Sequence, residues 1–383
     1  MIKPIQYEAV NWVDGMKISK RHFDAQTNFM LDSMRDIRAA FCPAFSYGFL
    51  PLDEHNSAPN LVEVLTTITG NIELVIKKCN AITPSGFRIA FDNLSVNLKP
   101  LLPQLGEELK EQKSTYYLLL SINPFDRIPH GVMDGEETPP RYPFTKPNHR
   151  VELFSVKAFE ANSRHSDGDY VVIGKLSIHG ELMHVEESYI PPCTSVTSHP
   201  VLLRQYDSMV QILPMLENYA IRILQREINA KQNNGLVSSV KLLCQALIHD
   251  IGSAYFYLRN VAQHLAPLHF IACFSQMATH LYQVTKTLSS VDLEELLNYI
   301  SEWSEIAPHR FLSQLTKVAE IKYQHTDCES HLREMHLMVN SLEKVFLKLS
   351  ELDYIGQRKE NIIVNELEVT PVSKNNRGWS VLD

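Results

Sequence analysis

The sequence predicts a β + α multidomain protein: an antiparallel sheet half, packed as a sandwich or barrel, followed by a helical bundle or coiled coil. Two observations carry this. Up to about residue 190 the apolar residues recur with a period near two, and beyond Pro200 the period becomes helical. No helix of crossover length separates most of the β-rich runs, which favours antiparallel pairing. Pro191-Pro192 punctuates the change of period. The predicted units are 1–192, 193–356 and a short tail, 357–383.

Leu61–Ile68 and Ile72–Ile76 flank Gly70-Asn71 and read as a hairpin. Phe87–Phe91 alternates. Tyr116–Ile122 is a mostly apolar run suited to an interior strand. Val151–Phe159 alternates again, Tyr170–Ile178 follows the turn signal Asp167-Gly168-Asp169, and Leu182–Val185 makes a last short strand. Asn123–Asn148 interrupts the series with Pro124, Pro129, Pro139, Pro140, Pro143 and Pro147. Proline cannot donate to a ladder, so this segment is excluded as a central strand. A loop of such length in a compact domain needs a reason. Phe125, Tyr142 and Phe144 favour a loop that reaches a neighbouring subunit over a variable surface excursion.

In the second half Pro200 reads as a helix start. Leu202, Tyr206, Met209, Leu213, Leu216, Ala220 and Ile223 form one stripe, with a kink expected at Pro214. Asn233-Asn234-Gly235 is a turn. Further helices are expected over Val237–Leu265, from Pro267 to Ser289, and from a cap at Ser290. The final helix is expected to run unbroken through Val318, Ile321, His325, Cys328, Leu332, Met335, Val339, Leu342, Phe346 and Leu349, a bundle or coiled-coil seam. Together with Leu202–Ile223 it offers more apolar surface than one bundle needs, which predicts a homotrimer with helices on the threefold axis. Beyond Gly356, Ile362–Val369 supplies one strand at most.

The formal net charge of −8 and the lack of a sustained Lys/Arg block argue against a general nucleic-acid binder. Met1–Val10 has no apolar segment of signal-peptide type. Leu265–Thr279, the most apolar stretch, carries Pro267 and His269 and is too short to span a bilayer. The six cysteines share no close pair and read as reduced thiols of a cytoplasmic protein. No phosphate loop, HExxH, GxSxG or CxxC is present. His325, Cys328 and His331 have helical spacing, but zinc requires a fourth ligand, so they read as seam or surface residues. His22 and His184 lack a recognisable nucleophile partner, which disfavours a hydrolase. No enzyme activity, cofactor or metal is expected.

Near the N-terminus, Trp12-Val13-Asp14-Gly15-Met16 reads as a tight turn opening into a short amphipathic helix that carries His22, Phe23 and Gln26. Met16, Ile18, His22, Phe23, Gln26 and Met30 are expected to share a helix face. With Pro139-Pro140-Arg141-Tyr142-Pro143 and Tyr189-Ile190-Pro191-Pro192 downstream, this order and spacing resembles the TssK family, the adaptor subunits of the type VI secretion baseplate. The resemblance covers residues 1 to about 350. It implies a β-sandwich shell similar to the shoulder domain of phage receptor-binding proteins, a helical neck, and a homotrimer. It also implies docking onto TssF–TssG wedge proteins through Trp12, Gly15, Met16, His22, Phe23 and Gln26. The family's C-terminal head, which meets the TssL–TssM membrane complex, is expected to be absent or minimal here, leaving that contact or a substitute connector open. A phage-type tail or receptor-binding component is the alternative; neither involves nucleic acid or membrane insertion.

Overall fold

A computed structural model describes residues 3–41, 43–51, 62–66, 72–101, 114–161, 169–179, 182–229 and 234–359. The expected turn at Gly70-Asn71, the Asp167-Gly168 signal and the Ile362–Val369 strand lie outside these residues. Among them, two four-stranded antiparallel sheets precede a six-helix bundle, and one helix, α1 (Lys20–Phe41), lies N-terminal to both.

The first sheet contains β1 (Gly48–Phe49), β2 (Val62–Thr66), β3 (Ile72–Ile82) and β4 (Arg88–Asn97), with β3 pairing all three others. The second has the order β6 (Phe144–Ser155), β5 (Ser114–His130), β7 (Tyr170–His179) and β8 (Leu182–Val185). Their inner faces share one core in which Leu74, Ile76 and Ile89 meet Leu118, Leu120 and Ile173. The outer face of the second sheet is covered too: Tyr117, Leu119 and Val172 pack with Tyr189 and Phe159. Burial on both faces explains why Tyr116–Ile122 is apolar without alternation. The strand expected over Val151–Phe159 stops at Ser155. The Ser155 hydroxyl accepts from the Ala158 N–H at 3.1 Å and starts a helical turn, α2 (Val156–Ala161).

The proline-rich segment corrects the sequence expectation. Asn123–Asn148 is an extension of β5 and β6 into a two-stranded arm, paired from Arg127↔Pro147 to His130↔Phe144 after a bulge between Asn123 and Arg127. The other neighbour of β5, β7, pairs no further than Ser121. Past that point neither strand is central. Pro124 falls in the bulge, and Pro129 and Pro147 sit where a ribbon edge needs no donor.

The bundle comprises α3 (Pro200–Asn229), α4 (Gly235–Asn260), α5 (Pro267–Thr287), α6 (Ser290–Ser304), α7 (Pro308–Ala319) and α8 (Cys328–Glu351). Helix α3 packs on α4 and α8, α4 on α5 and α6, and α7 on α5 and α8. Pro214 sits inside α3 without ending it. Asn234 caps α4, accepting from Val237 at 2.8 Å, and α4 ends at Asn260 rather than near Leu265. Ser289, one residue before the expected cap, accepts from Asp292 and starts α6.

The final helix is not continuous. Helix α7 ends at Ala319 and α8 begins at Cys328, so the regular spacing from Val318 to Cys328 runs across a break. His325 lies in that break. The seam of α8 is buried by the chain's own helices: Leu332, Met335, Val339, Leu342 and Phe346 are each at most 2% exposed. The α3 stripe is buried in the same way. Neither stripe is therefore free to line a threefold axis, and the apolar surplus that suggested one is consumed inside the bundle.

The two halves are locked at Tyr189–Ser198. The Phe49 N–H donates to the Pro192 carbonyl at 2.7 Å, and Thr194 N–H donates to the Phe49 carbonyl at 2.8 Å. The Tyr189 hydroxyl donates to the Thr326 carbonyl at 3.0 Å. Val196 N–H and the Ser195 hydroxyl reach the carbonyls of Leu265 and Gln263. From the α7–α8 break, His325 Nε2 donates to the Tyr47 carbonyl at 2.9 Å, so its Nδ1 accepts from the Tyr323 hydroxyl at 2.7 Å. Both nitrogens are used by a neutral ring. Burial lowers the His325 pKa from 6.5 to about 4.

This ring makes stability pH-dependent. Above about pH 6.5 His325 is neutral whether the chain is folded or unfolded, and it imposes no penalty. Below that, the unfolded chain binds a proton that the folded one refuses until about pH 4. Stability therefore falls with pH through that window, by about 3 kcal/mol at its lower end. Urea unfolding from pH 7 to pH 4 should show this loss. A His325→Asn variant, less stable at pH 7, should lose less over the same range; an equal loss in both would assign the effect to other groups.

Candidate functional site

The N-terminal segment and α1 form a unit held by two buried charges. Asp32 and Arg35 have side chains only 2% exposed and pair at 2.7 Å. Arg35 donates to the carbonyls of Lys3 and Pro4 at 3.0 and 3.2 Å. Asp32 accepts from the N–H groups of Gln6 and Tyr7. Burial pushes the Asp32 carboxyl up, but the Gln6 N–H, the Arg35 guanidinium and the Tyr7 N–H outweigh it and hold the pKa below the usual range. Lys3 pairs with Asp169 at 3.0 Å, and Tyr7 stacks on Phe125 at 4.4 Å, tying the segment to the second sheet. At the base of the arm, Arg127 donates to Asn28 on α1 at 2.6 Å.

The residues predicted from sequence lie at the other end of this unit. Met16 N–H donates to the Val13 carbonyl at 3.2 Å, closing the turn, and Gly15 adopts φ +79°, a conformation that costs other residues about 1–2 kcal/mol. Helix α1 starts only at Lys20, so Met16 and Ile18 precede it rather than sharing its face. His22 Nδ1 accepts from the Ser19 N–H and lies 3.1 Å from the Ser19 hydroxyl, which fixes the first turn. The Trp12 ring lies 6.1 Å from His22 and 6.4 Å from Phe23. Trp12, Gly15, His22 and Phe23 are thus brought together around one turn. Met16 is half-buried, and Gln26 is half-buried one turn further along α1. Trp12 and Phe23 remain 47% and 60% exposed.

The face of α1 opposite Asp32 and Arg35 is apolar and points to solvent. Phe23, Met30, Met34, Ile37 and Phe41 recur at helical spacing and are all exposed, Phe41 by 83%. The helix buries its ion pair and displays its hydrophobes, the reverse of a helix that merely covers a core. A second apolar surface lies on the arm, where Val132, Met133, Tyr142 and Phe144 are exposed. Contiguous apolar surface of this kind marks interaction sites.

His325, Cys328 and His331 have separate environments in the fold. His325 is engaged as described, His331 Nε2 accepts from the Gln324 N–H at 3.0 Å, and Cys328 is a fully buried thiol whose pKa is raised by burial. Among the described residues, no group of three or more His, Cys, Asp or Glu side chains is placed to hold a metal ion. No described helix is long and apolar enough to cross a membrane.

No family model matches the sequence, and no curated protein matches it. Solved structures match in fold. A crystal structure of TssK aligns over 88% of this chain and 69% of its own, at 15% identity and a TM-score of 0.49. A chain of the TssK–TssF–TssG baseplate subcomplex of the type VI secretion system, seen by cryo-electron microscopy, aligns over 88% of this chain and 99% of its own, at 13% identity and a TM-score of 0.48. TssK of the EAEC type VI secretion system, bound to a nanobody, aligns over 85% and 98%, at 13% identity and a TM-score of 0.46. The chain is similar in fold to TssK.

Proposed function

We infer that the chain is a structural adaptor of a type VI secretion baseplate, a homotrimer that docks onto TssF–TssG-like wedge proteins through its N-terminal turn and the start of α1. The observation that carries this reading is the Trp12–His22–Phe23 cluster. Of the residues of the resemblance, Trp12, His22 and Phe23 gather on a capped turn, with the Trp12 and Phe23 rings largely exposed. Exposed aromatic groups on a pre-ordered backbone bind at low entropic cost and serve as anchors. In this reading the protein works in the cytoplasm at the inner face of the envelope and catalyses no reaction. Its membrane-side contact is with a TssL–TssM-like complex or a substitute connector. The three predicted units are a sheet-based shell (1–192), a helical neck (193–356) and a tail (357–383).

The test is a pull-down with purified wedge proteins. Trp12→Ala and Phe23→Ala should each weaken binding about tenfold or more, the effect of losing an interface anchor. Thermal stability should be unchanged, because both rings are exposed in the free chain. Normal binding by the double variant would refute the docking site. Loss of folding would show instead that the rings support the domain.

A further inference from the structure

We propose that the groove between α4 and α5 binds a small organic cation, an ammonium or guanidinium group on an alkyl stem, with Asp250 as its counter-charge. The groove holds about 490 Å³ and is lined by Asp250, Ala254 and Tyr257 of α4 and by Ala272, Gln276 and Met277 of α5. Two hydrogen bonds join the helices along it. His280 Nδ1 lies 2.7 Å from one Asp250 oxygen, and the Tyr257 hydroxyl lies 3.0 Å from His269 Nδ1. Asp250 and Tyr257 are seven residues apart in sequence, about 10 Å along the helix. Between them the lining side chains Ala254 and Ala272 are short, which leaves room for an extended stem.

The second oxygen of Asp250 points to the class of ligand. It is buried, and among the described residues it has no hydrogen-bond partner. The nearby Ser253 hydroxyl does not serve it, because that group donates to the Asp250 main-chain carbonyl at 2.9 Å. A buried carboxylate oxygen left unpaired costs free energy that a charged donor recovers. Burial pushes the Asp250 carboxyl pKa up, against the opposing pull of His280 and His249, so the negative charge is under-compensated where it sits. No Lys or Arg lines the groove, so the chain brings no such donor to it, and an anion would find no counter-charge there. A metal ion fits less well than an organic cation, because among the described residues no three ligating side chains converge. Met277, Ala254 and Ala272 offer apolar surface to a methylene stem, beside the few polar groups that would orient it.

The test is calorimetric titration of the full-length protein with agmatine, which joins a guanidinium to a primary amine through a butyl chain. Saturable one-site binding is expected. Asp250→Asn should weaken it at least about tenfold, the scale of a lost charge-assisted hydrogen bond. Ala272→Leu fills the groove without touching the carboxylate and should weaken it comparably. Circular dichroism checks that each variant is folded; should Asp250→Asn fail to fold, Ala272→Leu decides. Pentanol, a neutral analogue, should not bind. A blocked Gly-Arg-Gly peptide, titrated in parallel, separates two sources of the same chemistry. Tighter binding than agmatine would assign the groove to an arginine side chain of another protein, and weaker binding to a free small cation; either result upholds the site. No saturable binding of either probe to the wild type would overturn the proposal. So would unchanged binding by either folded variant, or pentanol binding as tightly as agmatine.

Discussion

Gly48→Ala is expected to destabilise the protein by more than about 4 kcal/mol, enough to leave much of it unfolded. Two independent penalties combine. Gly48 has φ +103°, where a side chain is strained. A Cβ there would also lie 1.9 Å from the Pro192 carbonyl oxygen and 2.2 Å from its carbon. These are backbone atoms, fixed by the Phe49 N–H bond to that same carbonyl. Relief would require Tyr189–Ser198 to move off the sheet, which exposes Tyr189, Ile190 and Cys193, all now buried. Gly15→Ala is the control. It has φ +79° but nothing within 4 Å of its Cβ, so it should lose only about 1–2 kcal/mol. Urea unfolding of the two variants should separate them clearly. Similar losses would show that the contact at Pro192 yields.

Arg35→Ala should cost about 3–5 kcal/mol, because it leaves Asp32 buried and charged without its partner. The loss has a local signature. The N–H groups of Gln6 and Tyr7 are held by Asp32, and the carbonyls of Lys3 and Pro4 by Arg35. Hydrogen exchange at Gln6 and Tyr7 should speed up in the variant. The double variant Asp32→Asn, Arg35→Ala should be less damaged than the sum of the singles, since it removes the stranded charge. Additive losses would mean that the two side chains act independently.

Where each residue of an element obeys a single local rule, the sequence was enough to read it. Strands β7 and β8 follow from short runs at the expected positions, and α3 follows from its stripe and Pro200. The arm was missed because the proline rule was applied as if the segment were central. In a two-stranded ribbon with a bulge, half of the backbone donors face solvent and proline costs little. The α7–α8 break was missed because a spacing of three and four persists from Val318 to Cys328 even though the backbone between them is not helical. His325 is placed there by its bond to the Tyr47 carbonyl, a contact across the fold that periodicity cannot express, and by a local bond to Tyr323. At the candidate site, Trp12 to Gln26 were legible as a pattern. Asp32 and Arg35 were not, because charges on a helix ordinarily face water. Met34, Ile37 and Phe41 could have been found by extending the stripe to the end of α1 beyond Met30.

The lock at Tyr189–Ser198 has a mechanical meaning. It joins the first sheet at Phe49, the α4–α5 connection at Gln263 and Leu265, and the α7–α8 connection at Thr326, while His325 adds a fourth tie to Tyr47. A hinge needs one flexible crossing, and here several hydrogen-bonded crossings act in parallel. A torque applied to the sheets is passed to the helices with little give, as through a welded bracket. Compliance then resides at the periphery, in the two-stranded arm, so a load between two bound neighbours would be carried by the body and absorbed at its edge.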